Sequence, residues 1–85
     1  MWSSKVTAST LVTGAGVLRG LVVTASADTV KATIHHGSGV SGEDVMSGTA
    51  VANTSWGIHH DKMPMPDGVY CDVSGSGVTA YVLFE

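Results

Sequence analysis

The residues with the clearest chemical capacity are four histidines, which fall in two copies of one tripeptide, Ile34-His35-His36 and Ile58-His59-His60. Imidazole nitrogens accept zinc or nickel. A cross-strand histidine pair joined by Asp61, or a ring of symmetry-related imidazoles in an oligomer, would be a donor set of that kind. Consecutive residues of a strand point to opposite faces, so each tripeptide offers at most one histidine to a given site. That split favours surface or interface histidines near strand ends, with no metal and no other cofactor. Serine is abundant, so a serine close to some histidine is expected by chance, and no strained strand-to-helix elbow surrounds any of them. The single cysteine, Cys71, has no partner for an internal disulfide; it reads as a small buried hydrophobe on its strand rather than as a nucleophile. The residue types therefore lead to an expectation of no enzymatic activity.

Two further features have a chemical reading. Trp56 beside a histidine pair is a possible aromatic platform for sugar, set against the more ordinary role of a core or interface tryptophan. Leu11-Val12-Thr13-Gly14-Ala15-Gly16 with Gly20 has the look of a dinucleotide-binding turn. Its glycines give G-x-G-x-x-x-G, with Arg19 where the third glycine belongs, and the β-branched run Leu21-Val22-Val23-Thr24 does not open a helix. The segment is read as a glycine turn between strands.

What positions these residues is a short chain with a water-shy composition. Of 85 residues, 44% are hydrophobic and only 13% charged, and the mean hydropathy is +0.27. A single domain of this size has a thin core. No apolar run reaches the roughly 18 residues of a membrane span, and Met1-Trp2-Ser3-Ser4-Lys5 lacks the apolar stretch of a secretory signal. The net charge is −3, and Lys5, Arg19, Lys31 and Lys62 are scattered, which argues against nucleic acid as a partner. Self-association or docking on a larger assembly is then the expected way to cover the excess apolar surface.

Periodicity predicts an all-β fold, a small antiparallel β-sandwich or open barrel of about seven short strands. Residues 1–4 read as an N-terminal arm and 5–85 as one domain. The spine is Val17 to Ala25, whose two alternating faces are both largely apolar, the pattern of a strand covered on both sides. Before it runs a softer strand, Lys5 to Thr13. Thr29 to His36 alternates cleanly, with Val30, Ala32 and Ile34 inward and Thr29, Lys31, Thr33 and His35 toward solvent. Gly37 to Gly42 is a loop; Ser41 and Asp44 support one helical turn at most, and a strand over Val45 to Ala52 is preferred. After a turn at Asn53-Thr54, a short strand carries Trp56, Ile58 and His60 on one face and His59 on the other. Asp61 to Asp67, which contains Met63-Pro64-Met65-Pro66, is expected to be an extended surface passage, because its prolines forbid a central strand, with Met63 and Met65 an adaptable contact surface or gap fillers. Pro66-Asp67-Gly68 makes a turn. Val69, Cys71 and Val73 then face inward, and Val78 to Glu85 closes the chain.

The two ends of the chain carry a resemblance. Thr13-Gly14-Ala15-Gly16-Val17-Leu18-Arg19-Gly20-Leu21-Val22-Val23 is similar to a G-x-L-x-G-I-V-V opening. Pro66-Asp67-Gly68-Val69-Tyr70-Cys71-Asp72-Val73-Ser74-Gly75 with Val78-Thr79-Ala80-Tyr81-Val82-Leu83-Phe84 is similar to G-L-Y-V-D-V-S-G followed by a valine-rich strand. Both resemble small virion structural proteins of tailed bacteriophages, although Cys71 stands where those proteins carry an aliphatic residue. The resemblance implies a β-sandwich on the phage particle surface, attached to a larger viral shell protein as a capsid decoration or stabilising module. The alternative is a carbohydrate- or receptor-binding module of a tail appendage. It also implies a homotrimer ahead of a dimer. Trp2, Leu11, Trp56 and Leu83 are the candidate interface residues.

Overall fold

The computed structural model describes residues 2–85 as eight strands. They are β1 (Trp2–Val6), β2 (Thr10–Leu11), β3 (Val17–Thr24), β4 (Val30–His36), β5 (Glu43–Ala50), β6 (Ser55–Pro64), β7 (Val69–Ser74) and β8 (Thr79–Phe84). Two four-stranded sheets, ordered β1-β8-β3-β6 and β2-β7-β4-β5, pack face to face. Every pairing is antiparallel, so the chain is a small antiparallel β-sandwich. Its core is aliphatic: Leu18, Leu21, Val23, Val82 and Ala80 from the first sheet meet Ile34, Ala32, Val30, Val69 and Cys71 from the second.

The expected spine is the main structural departure from simple alternation. β3 lies between β8 and β6, and its register slips against both at Leu18/Gly20. Leu18 faces Phe84 and Gly20 faces Leu83, so Arg19 is an extra residue opposite β8. On the other side His60, Asp61 and Lys62 of β6 are accommodated opposite Arg19 alone. A bulge advances the side-chain phase by one, so the inward positions change from even to odd. Leu18 is fully buried before it, and Leu21 and Val23 after it. Both formal faces are apolar because one buried face changes parity partway along, not because both faces are covered. Glycine at 20 is required there: a Cβ would lie 2.6 Å from the Ile58 carbonyl oxygen and 3.1 Å from Leu83 Cδ1.

The first expected strand, Lys5 to Thr13, divides in two. β1 pairs with β8 in one sheet and β2 with β7 in the other. The chain crosses between the sheets at Thr7–Ser9, where the Ser9 hydroxyl donates to Asp72 Oδ1 (2.7 Å) and accepts the Val73 N–H (2.9 Å). Of the expected arm, Met1 lies outside the described residues. Trp2–Ser4 are strand residues opposite Phe84–Val82, held by the backbone of β8.

Three local expectations are also revised. The strand after the glycine loop begins at Glu43, two residues early, because a bulge at Val45 lets Asp44 pair with His35. His35, placed toward solvent by alternation, is buried. The Met-Pro passage is an edge strand as far as Pro64, which proline permits because an edge residue need not donate to a second neighbour. Met65 beyond it is 2% exposed, held by its N–H to the Gly16 carbonyl (2.8 Å). Of its two expected roles, Met65 takes the gap-filling one.

Candidate functional site

The histidine tripeptides fall on different sheets, the first ending β4 and the second within β6. His35 Nδ1 lies 2.7 Å from Asp44 Oδ1 and 3.1 Å from the Gly42 carbonyl oxygen. Both neighbours are acceptors, so Nδ1 carries the hydrogen and donates. The ring sits beside Tyr70, centroids 6.3 Å apart and tilted by 54°. His36 Nε2 accepts the Asp67 N–H at 3.2 Å, and the Gly37 N–H donates to the Gly68 carbonyl at 3.0 Å. The first tripeptide is thus a latch that seats the 37–42 loop and the 66–68 turn against the end of the second sheet. His59 is exposed on β6 and His60 is half-buried beside the bulge. Among the described residues no three His, Cys, Asp or Glu side chains come together as a metal site, and no cavity opens.

Cys71 is fully buried between the sheets. Burial first, and the neighbouring Asp72 charge second, push its thiol up from 9.0 to about 11. A buried thiol of that kind is a poor nucleophile. Iodoacetamide at about pH 8 is therefore expected to leave Cys71 unmodified in the folded protein and to label it readily in urea, as read by mass spectrometry. Rapid labelling of the folded chain would contradict this burial. The sign of the linkage also follows. The folded state holds the proton more tightly, so stability is level below about pH 9 and declines as pH rises toward 11.

The four interface candidates do not share one face. Trp2 is 71% exposed at the free edge of β1. Leu83 is half-buried on β8 and points outward from the same sheet. Leu11 is exposed on β2, in the other sheet. Trp56 is half-buried across the sandwich, its six-membered ring against Gly48 of β5 so closely that a Cβ at position 48 would overlap its Cε3 and Cζ3 atoms. That contact closes the seam between β5 and β6 and uses Trp56 for packing.

The outward face of the first sheet holds the surface that the four candidates only partly indicated. Pairing places Lys5, Tyr81, Val22 and Gly57 in one row across the strands, and Ser3, Leu83, Gly20 and His59 in the next. Tyr81, Val22 and Leu83 form an apolar centre, the two glycines leave it low on one side, and Lys5, Ser3 and His59 form a polar rim. A sandwich face exposed only to water alternates polar residues at these positions; an apolar centre with a polar rim is the anatomy of a protein contact. The row that Tyr81 joins depends on the bulge at Arg19, which sets the register of β3. No family model, no curated protein and no solved structure matches this chain.

Proposed function

We propose that this chain is a non-enzymatic structural module of a phage virion, which self-associates and attaches to a larger viral shell protein on the particle surface as a decoration or stabilising subunit. The observation that carries the reading is the first sheet's outward face, a shallow apolar centre beside the free edge bearing Trp2, with no cleft among the described residues. Shallow apolar surface of this kind fits protein, since small-molecule sites are concave. The resemblance to phage virion proteins supports the same reading. Its segments supply β3 and β8, the inner strands of one sheet, and β7, an inner strand of the other. The aromatic offered for the carbohydrate-binding appendage reading, Trp56, is packed against Gly48.

Two measurements test the proposal. Multi-angle light scattering is expected to give a mass that is a multiple of 8.7 kDa, and added chain is expected to sediment saturably with phage heads stripped of it. A monomer at high concentration that leaves heads unbound would overturn it. Glycan binding lost in Trp56→Ala would favour the appendage reading.

A further inference from the structure

The sandwich has four edge strands, and three are guarded against pairing with another chain. β2 has two residues. β5 opens with Glu43 and Asp44 and carries the bulge at Val45, and its regular part lies on the side that Trp56 closes. β6 carries the register slip at 60–62, the charges of Asp61 and Lys62, and Pro64. Short length, inserted charge, bulges and proline are the devices that keep an edge from templating a new strand. β1 has none of them beyond Lys5. Its five residues run in unbroken register with Phe84–Ala80 of β8, and they begin with Trp2, the most exposed large hydrophobic residue of the described chain.

We propose that β1 pairs antiparallel with β1 of a second copy about a twofold axis at Ser4, joining the two first sheets into one eight-stranded sheet. This inference rests on the self-association proposed above and names its contact. The register is selected by elimination among twofold pairings that keep the inward faces on the same side. Centring on Lys5 would set two ammonium groups opposite each other, and like charges in that position are unfavourable. Centring on Ser3 would pair only Trp2, Ser3 and Ser4. Centring on Ser4 pairs all five residues: Trp2 stands opposite the partner's Val6, Ser3 opposite the partner's Lys5, and Ser4 opposite the partner's Ser4. Trp2 and Val6 share the inward side of β1, so each tryptophan covers the open flank of the other sandwich. The outward rows of Tyr81 and Leu83 in the two copies then lie in one continuous surface. The symmetry is twofold, where the resemblance to phage proteins implies threefold. An edge that pairs with its own copy closes at two subunits.

The test uses charge at Ser3, which is exposed and points away from the core. Sedimentation equilibrium is run on the full chain and on Ser3→Lys, Ser3→Glu and the double variant Ser3→Lys/Lys5→Glu, with circular dichroism as the check on folding. Each twofold contact contains the 3-to-5 pair twice. Ser3→Lys is therefore expected to weaken the dimer about tenfold, while Ser3→Glu and the double variant, which both set Glu opposite Lys twice, are expected to tighten it by a similar factor. A dimer or higher oligomer indifferent to all three changes would overturn the β1 contact while leaving self-association standing. A parent chain that stays monomeric would overturn both.

Discussion

Leu21→Ala is expected to remove about 3 kcal/mol of stability, within the ~2–5 kcal/mol span of leucine truncations in sealed cores. Leu21 has no exposed surface and sits just after the bulge, flanked in register by Val82 of β8 and Ile58 of β6. For an 85-residue domain the total stability is on the order of 4–13 kcal/mol, so this one side chain accounts for a large share. The thermal midpoint should fall by roughly 12–25 °C. Val22→Ala, one residue on and half-buried on the outward face, should cost well under half as much. If the two costs came out reversed in calorimetry, the parity change at Arg19 would be wrong, because simple alternation from Leu18 would bury Val22 and expose Leu21.

The second large effect is expected at Gly48. A methyl group there would overlap Cε3 and Cζ3 of Trp56, so Gly48→Ala should cost about 1–3 kcal/mol through overpacking. With Trp56→Leu already in place the same change should be nearly neutral, since the ring that obstructs it is gone. The coupling energy from urea unfolding of the four proteins measures the contact directly. Additive costs would mean that Trp56 does not rest on Gly48, and would return its ring to the surface as a platform for sugar.

These two residues mark where the sequence was legible and where it was not. The all-β architecture was readable because Val30, Ala32 and Ile34, and again Val69 and Cys71, alternate with polar neighbours, and their inward placement holds in the structure. The closing strand Val78 to Glu85 was readable as a strand, but only the structure shows that Val78, Ala80, Val82 and Phe84 share its inward side. Which way β3 faces was not readable either, since an apolar run with a phase change and a run covered on both faces look alike until register with β8 and β6 is known. The division of the first strand depends on Ser9 meeting Asp72 across 63 residues. Burial of His35 depends on a glycine loop folding back over it, and the role of Trp56 depends on a glycine in another strand. Each of these was missed for the same reason: the deciding partner is distant in sequence and no local pattern announces it. The candidate site suffered most. Trp2 and Leu83 were singled out as interface candidates, but the surface they border is assembled from four strands, two glycines and one bulge.

The proposal that this sandwich is a decoration subunit of phage heads can be tested by immunogold electron microscopy of purified particles with antibody raised against the folded chain. The account predicts label distributed regularly over the heads, lost when the particles are stripped of the chain and restored when it is added back. Label confined to tail tips, or particles that carry none, would contradict it.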